Sequence, residues 1–451
     1  MEERIFYASR CGAKLNSHVY NGGGDDDTGV LQEILDRATV LGRVHLVLDG
    51  AARTSKSLVV HSNTTIECPD KSCGIFLSDN SNSSMIRNAN FRAGEGEIED
   101  RNIILRGGVY NHNSPGQVHH RADEPEDQFI SNWVFSMELY GVENVQLRDV
   151  TIANQRTFAM LMMNFKYVTM ENIHIDRRER PSFENQDGLH FWGPGRFLTL
   201  KNIYGNSGDD FIALAPDEHD FKSSIEDVLI DGVHLEDADQ GIRLLSRGEG
   251  RLDRVKIQNV TGTYRSYGFI VNPWFDSETG GNYGNIVLDT VDLKPMKNNY
   301  DYSPPFLFKL GGNIECLTLQ NIYHNKPEHS HTLVIAGGDY NVDRPETPQR
   351  PTAIKRLKIQ NLHIDETKKE GVQDAYIRIK SKIESMCLQD IYFKRPADSP
   401  EVSGGAFIRF EDGASVGDLQ IANAELPASL DRAIDSAPGS FGCLRADFIQ
   451  R

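Results

Sequence analysis

A short motif of alternating apolar and polar residues recurs along the chain and constrains the fold more than any other feature. Most copies end in Asn or Asp, and successive copies end between 23 and 40 residues apart. A fixed motif separated by loops of variable length is typical of a solenoid, in which each repeat packs only on its neighbours. The ten copies are residues 145–149, 168–172, 198–202, 228–232, 255–259, 286–290, 317–321, 357–361, 386–390 and 419–423.

The alternation places Leu, Ile, Val and Met on one face of a short strand, and no copy is large enough to bury that face alone. Leucine-rich and helical repeats require helical periodicity between the motifs, whereas the stretches 157–165 and 268–272 are short, apolar and strand-like. We therefore predict an all-β fold, a right-handed single-stranded parallel β-helix. The terminal Asn or Asp suits a tight left-handed turn, and such side chains on neighbouring coils can hydrogen-bond along the axis.

The N-terminal region differs from the repeats. Residues 22–28 are rich in Gly and Asp, and the apolar residues that follow at helical spacing are Val30, Leu31, Ile34, Leu35 and Ala38. Acidic residues favour a helix start, so we predict an amphipathic helix that caps the open end of the solenoid. No interior linker is visible. We predict a single domain over residues 1–451, with an N-terminal cap and first coil (1–60), coils (61–426) and a C-terminal cap (427–451).

The charge of the chain limits its partners. A formal net charge of -17 argues against nucleic acid and against an anionic membrane surface, because both would repel the protein. It also disfavours a polyanionic substrate unless cations line the cleft. No stretch approaches the roughly 20 apolar residues that span a bilayer, so we predict that this is not a membrane protein. Self-association into a homo-oligomer is left open.

The N-terminus and the cysteines bear on the compartment. Residues 1–5 contain no basic segment followed by an apolar run, which predicts a cytoplasmic protein or a secreted one whose signal peptide has been removed. The six cysteines are scattered and indicate neither a disulfide scaffold nor a Cys-x-x-Cys zinc site. Buried thiols are the expectation.

Two acidic motifs stand out from the strand-end residues. Residues 185–190 read Asn-Gln-Asp-Gly-Leu-His and residues 208–214 read Gly-Asp-Asp-Phe-Ile-Ala-Leu. Asp187 and Asp209 are 22 positions apart, close to the shortest repeat, so they should lie on adjacent coils about 4.8 Å apart. With Asp210, three carboxylates then share one patch, where like charges raise one another's pKa and keep one acid protonated beside an ionised neighbour. Solvated turn residues are the alternative interpretation.

The two motifs resemble those of the polygalacturonase family of glycoside hydrolases, which carries Asn-x-Asp and, about one coil later, Gly-Asp-Asp before an apolar strand. Residues 12–14 and 62–66 are also similar to the start of pectin-degrading β-helices, and the resemblance extends over about residues 10 to 290. It implies an inverting glycosidase in which Asp209 protonates the leaving oxygen while Asp187 and Asp210 activate water. Inverting enzymes separate these carboxyl groups by roughly 6.5–9.5 Å. No cofactor or metal is implied.

The chain departs from the family pattern in the following coils. The family continues with Gly-His-Gly and Arg-Ile-Lys, the cations gripping a uronate carboxylate, whereas residues 239–245 and 267–272 here carry neither signature. Arg243 is a candidate replacement for one cation, with a surface ion pair as the alternative. His190, three residues after Asp187, is a candidate polar contact, with a structural role as the alternative. Loss of the uronate grip weakens the case for galacturonan and leaves room for a neutral or differently linked sugar.

Further candidate substrate contacts are polar or aromatic residues near the predicted site. They are Arg156, Asn164, Trp192, Arg247, Asn272 and Trp274. Two other functions remain open. On the same solenoid, a polysaccharide lyase or epimerase would use the aspartates to bind calcium and an Arg or Lys as the base. A non-catalytic glycan-binding β-helix would only hold the sugar.

Overall fold

The computed structural model describes residues 4–91, 98–121, 133–178, 183, 185–273, 279–297, 306–325, 334–336, 352–365, 375–394, 402–426 and 430–450. The chain divides into two compact units, Met1–Ala213 and Leu214–Arg451. The prediction of a single domain over residues 1–451 therefore stays a prediction. No helix in the described ranges has the length and apolar character needed to cross a membrane.

The first unit opens with the predicted helix, α1 (Thr28–Leu41), which buries Leu31, Ile34, Leu35 and Ala38. The helix ends at Leu41, and Gly42 after it has a φ of 78°, which glycine adopts without steric cost. Two acidic residues at the start of α1 make different contacts. Asp26 accepts a hydrogen bond from the Thr28 N–H at 3.0 Å, whereas Asp27 accepts from the backbone of residues 14 and 15 at 2.6 and 2.9 Å. Asp27 therefore ties down the preceding loop instead of capping the helix.

Besides α1, the described residues of the first unit contain two short 3-10 helices, Ala8–Cys11 and Ser114–Gly116, and strands. The strands are β1 (Ile5–Tyr7), β2 (Val44–Val47), β3 (Ala51–Thr54), β4 (Leu58–Val60), β5 (Thr64–Glu67), β6 (Gly74–Leu77), β7 (Ile86–Asn88), β8 (Asp100–Arg106), β9 (Val109–Asn111), β10 (Met137–Arg148), β11 (Thr151–Ala153), β12 (Met160–Asp176), β13 (Leu189–Gly205) and β14 (Asp210–Ala215), the last of which begins here.

The second unit is built from strands throughout its described residues. They are β15 (Ile225–Ser246), β16 (Leu252–Pro273), β17 (Tyr283–Pro295), β18 (Phe306–Leu310), β19 (Ile314–Asn325), β20 (Val334–Ala336), β21 (Ala353–Asp365), β22 (Ala375–Ile379), β23 (Lys382–Lys394), β24 (Val402–Phe410), β25 (Ser415–Leu426), β26 (Leu430–Asp435) and β27 (Phe441–Gln450).

The strands pair in parallel, coil upon coil, in the register that the repeat predicts. In the first unit Val145 pairs with Val168, which pairs with Leu198. In the second unit the first residues of successive motifs likewise pair in series from 228 to 419. The parallel β-helix is thereby confirmed. Residues 430–450, predicted as a cap, form β26 and β27 and extend this pairing, so their capping role stays a prediction.

The turn that follows each motif has the predicted chemistry. The last residue of every copy adopts a positive φ, from 51° at Asn423 to 83° at Gly232. The side chains also bond from coil to coil, with the Asn172 amide donating to Asp149 at 2.8 Å and the Asn202 amide donating to Asn172 at 3.1 Å. The predicted asparagine ladder is confirmed, and it satisfies polar groups that the turn would otherwise leave to water.

The cysteines are all free. Cys68 and Cys73 are buried as predicted, while Cys443 is exposed and the other three are half-buried. Burial raises the pKa of the Cys68 thiol to about 12, which makes it a poor nucleophile.

Candidate active site

The two aspartate motifs meet through their backbones in the first unit. The Gly188 N–H donates to the Asp210 carbonyl at 2.9 Å, and the Gly208 N–H donates to the Gln186 carbonyl at 2.9 Å. Asp187 and the Asp209–Asp210 pair therefore lie on adjoining coils, as their spacing predicts.

Gly188 makes this close approach sterically feasible. A Cβ atom at this position would lie 2.2 Å from the Phe211 carbonyl oxygen. Because that oxygen belongs to the backbone, it has no free end that can swing away. The glycine that follows Asp187 in the motif is thus explained by the packing of one coil on the next.

The backbone of Asp187 is further fixed by two buried glutamines. The Gln155 amide donates to the Asp187 carbonyl at 3.2 Å, and the Gln186 amide donates to the Gln155 carbonyl at 2.7 Å. The Ala159 N–H also donates to the Asp187 carbonyl, at 3.0 Å. These bonds tie the motif to the preceding coil, so the position of Asp187 is set from both sides.

The Asp187 side chain contacts His190. Oδ2 of Asp187 lies 2.7 Å from Nδ1 of His190, and the two residues are 3% and 4% exposed. The imidazole stacks on Phe158 with ring centroids 4.4 Å apart and 7° between the planes. Trp192 meets it edge-on at 6.0 Å. Aromatic rings on two sides thus hold the imidazole against the carboxylate.

Asp209 and Asp210 form the turn into β14. The Asp210 N–H donates to the Asp209 carboxylate at 3.0 Å, and Ser207 donates its hydroxyl to the Asp209 carbonyl at 2.7 Å. Behind this turn the guanidinium of Arg177, which is 1% exposed, donates to the Ser207 carbonyl at 3.2 Å. Asp209 is half-buried, whereas Asp210 is 2% exposed.

Two contacts here were not predicted from the sequence. Phe158 lies in the apolar stretch 157–165, whose strand character was recognised, but nothing in the residue itself indicates the ring that it supports. Arg177 follows the end of β12 and carries no motif. Both are identified only by contacts between coils.

Arg156 and Asn164 are the remaining candidates of the first unit. Arg156 donates from Nε to the Gln117 carbonyl at 3.2 Å, and its guanidinium lies 4.4 Å from the Phe183 ring centroid. Asn164 is 5% exposed, with a φ of 50°, at a register shift in β12. The substrate roles predicted for both stay predictions.

The second unit holds three of the four other candidates, and Trp274 lies outside the described residues. Arg243 is 9% exposed and pairs in register with Ile270, which pairs with Lys309. Lys309 is a second nearly buried cation, at 8% exposure, that sequence analysis did not single out.

Arg247 and Asn272 have different surroundings. The guanidinium of Arg247 donates to the Glu218 carbonyl at 2.7 Å and lies 4.4 Å from the Phe221 ring centroid, so it holds a loop. Asn272 is fully buried, and neither its amide oxygen nor its amide nitrogen has a hydrogen-bond partner among the described residues. The substrate roles predicted for Arg243, Arg247 and Asn272 stay predictions.

In the described ranges, no group of three or more His, Cys, Asp or Glu side chains is arranged to hold a metal ion.

Comparison with known proteins identifies a family resemblance. Residues 102–304 match the model of glycosyl hydrolases family 28, a range that includes both aspartate motifs. The resemblance to polygalacturonases inferred from those motifs is thereby confirmed over this part of the chain. A comparison with curated protein sequences finds no significant match.

Solved structures are similar in fold. An exopolygalacturonase from Thermotoga maritima aligns with a TM-score of 0.51 at 11% identity, covering 99% of this chain and 92% of that one. A family 28 exopolygalacturonase from Yersinia enterocolitica aligns with a TM-score of 0.51 at 14% identity, covering 92% and 78%. The polygalacturonase from Erwinia carotovora aligns with a TM-score of 0.50 at 11% identity, covering 89% and 94%. These likenesses support the right-handed parallel β-helix.

Proposed function

We propose that this protein is a glycoside hydrolase that cleaves a pectin-like or related poly- or oligosaccharide with inversion, using Asp187, Asp209 and Asp210. The observation that carries the proposal is the 2.9 Å hydrogen bond from the Gly188 N–H to the Asp210 carbonyl, because it joins the two aspartate motifs on adjoining coils. The family match over residues 102–304 supports the same reaction class.

The roles proposed for the three side chains are those that the family resemblance implies. Asp209 is the most exposed and gives its proton to the glycosidic oxygen of the leaving sugar. The bond between that oxygen and the anomeric carbon breaks while water attacks the carbon from the opposite face. Asp187 and Asp210 activate this water, and one of the two carboxylates accepts the single proton that it loses.

His190 supports the role proposed for Asp187. When the carboxylate is ionised, Nδ1 of His190 keeps its proton and donates a hydrogen bond to Oδ2 across the 2.7 Å contact. A charge-assisted hydrogen bond of this kind favours the ionised form and fixes the direction of the carboxylate. A general base requires both properties.

The substrate is proposed at the level of the class. The family resemblance favours a pectin-like polymer, whereas the missing Gly-His-Gly and Arg-Ile-Lys signatures favour a sugar that is bound by other contacts. Arg243, Arg247 and Asn272 are proposed substrate contacts on the basis of sequence alone.

The test is a screen of pectic and neutral oligosaccharides, with the anomeric configuration of the first products followed by NMR. We expect hydrolysis with inversion and no requirement for calcium. Retention of configuration would contradict the mechanism. An unsaturated, calcium-dependent product would instead indicate a lyase, and binding without turnover would indicate a glycan-binding protein.

A further inference from the structure

The second unit contains a groove that shares no residue with the aspartate motifs. Its volume is about 310 Å³, and it is lined by the ends of β17, β19, β21 and β23. Three steps of about 4.8 Å between these four neighbouring strands give it a length of roughly 14 Å, which suits a short chain of rings better than a single small molecule.

A ladder of rings runs along the groove. Asp292, Tyr323, His363 and Tyr392 pair in series on successive strands. The ring centroids of Tyr323 and His363 are 4.7 Å apart with 15° between the planes, and those of His363 and Tyr392 are 4.8 Å apart with 29°. Each internal ring face is therefore covered by its neighbour.

The ladder ends at Tyr323 with a ring face that no other ring of the described residues covers. The next position in register is Asp292, an exposed carboxylate too short to cover a phenol. Tyr323 is 39% exposed. A flat apolar surface thus lies beside a hydrogen-bond acceptor, and both face the groove.

Further polar groups line the same groove. The Oδ1 atom of Asn325 is buried and has no hydrogen-bond partner among the described residues. Lys394 lies 3.1 Å from Asp365, and 80% of its side chain is exposed. The groove is therefore lined by an amide oxygen without a partner among the described residues, two carboxylates and an ammonium group.

We propose that this groove binds a neutral oligosaccharide. A pyranose ring has an apolar face that stacks on an aromatic ring, and its hydroxyl groups donate to carboxylate and amide oxygens. An anionic sugar fits poorly, because the groove has two carboxylates, its lysine is already paired with Asp365, and the protein carries a net charge of -17. The groove is a second glycan-binding site and does not depend on the proposed hydrolase activity.

The test is affinity electrophoresis of the Asp209→Asn variant in native gels that contain galactan, arabinan, xyloglucan or galactomannan. We expect at least one neutral polysaccharide to retard the protein and the additional change Tyr323→Ala to reduce that retardation by about fivefold or more. Tyr167→Ala is the matched control, because Tyr167 is a 48% exposed tyrosine of the first unit that also stacks on a ring. The Tyr167→Ala change should leave the retardation of the Asp209→Asn protein unchanged.

Three outcomes would overturn the proposal. They are no retardation by any of the four polymers, retardation that survives Tyr323→Ala, and retardation by polygalacturonate alone.

Tyr323→Phe keeps the ring and should keep most of the binding, and equal unfolding temperatures of the Ala and Phe variants exclude a folding defect. Tyr323→Ala with native Asp209 should still hydrolyse short substrates. Loss of hydrolysis in Asp209→Asn tests the proposed function, so the two proposals fail separately.

Discussion

The carboxylate of Asp187 lies 2.7 Å from the imidazole Nδ1 of His190, which is three residues further along the chain. The sequence Asp-Gly-Leu-His spans the entry into β13, where Gly188 contacts one neighbouring coil and His190 stacks on Phe158 of the other. This short segment thus connects the proposed base, Asp187, to the coils on both sides of it.

Replacement of His190 by Ala should lower kcat/KM about 10- to 100-fold, because a hydrogen bond to a charged group contributes about 1.5–3 kcal/mol. His190→Asn should recover part of the loss, since the Asn amide can donate from near the Nδ1 position. Steady-state kinetics of the two variants, with thermal unfolding as a check on folding, measure the effect. Equal activity of the Ala and native proteins would contradict the role assigned to His190.

Asp209→Asn should lower kcat by about 100-fold or more, because general acid catalysis contributes typically 10²–10⁴-fold. The matched control is Asp149→Asn, also in the first unit. Asp149 accepts the Asn172 amide in the turn ladder, and an Asn oxygen accepts the same bond. The control should keep native activity. Comparable losses in both variants would show that the effect is structural.

Much of the fold could be predicted because the side-chain period of a strand and the ladder of turns restrict the register. Once residue 145 faces inward, the same position of the next motif must face inward too, and Val145 indeed pairs with Val168. Asn and Asp tolerate positive φ, so their recurrence at the end of most motifs predicts the turn and the ladder of side chains.

The turns that precede the motifs were harder to predict. Tyr167 and Phe197 adopt φ values of 54° and 58°, a conformation that costs roughly 1–2 kcal/mol for most residues. Their rings stack 4.9 Å apart with 2° between the planes. This stacking contact offsets the strain of the positive φ values. Turn propensities alone would not predict aromatic residues at these two positions.

The candidate site was only partly predictable for the same reason. The spacing of 22 residues places two motifs on adjoining coils, because it is a property of the repeat. The contacts of Phe158 and Arg177 depend instead on how loops of variable length return to the next coil. No local pattern in one sequence records that geometry.

Gly188→Ala should destabilise the protein by about 1–3 kcal/mol, because its Cβ would meet the Phe211 carbonyl oxygen and the two coils would have to separate. Gly29→Ala is the control. Gly29 lies in α1, a Cβ there meets nothing within 4 Å, and the change should stabilise the helix by up to about 1 kcal/mol. Urea unfolding of both variants gives the two free energies, and equal values for Gly188→Ala and the native protein would contradict the close approach.

His112 should make the stability depend on pH. Burial lowers the pKa of His112 to about 4, and the neutral ring is matched to its partners: Nε2 donates to the Ser83 carbonyl at 3.1 Å, and Nδ1 accepts from the Arg156 N–H at 3.2 Å. The unfolded chain binds a proton near pH 6.5 that the folded chain does not bind until about pH 4. Stability is therefore lost as pH falls through this window, by on the order of 3 kcal/mol.

The His112→Gln variant separates this effect from the titration of other groups. Gln cannot be protonated in this range, and its amide can both donate and accept, so the free energy of unfolding should fall less between pH 6.5 and 4 than in the native protein. His120→Gln, at an exposed position, should preserve the native pH dependence. Urea unfolding at intervals of half a pH unit gives the three slopes. If the slope of His112→Gln equals that of the native protein, the buried imidazole does not carry the pH dependence.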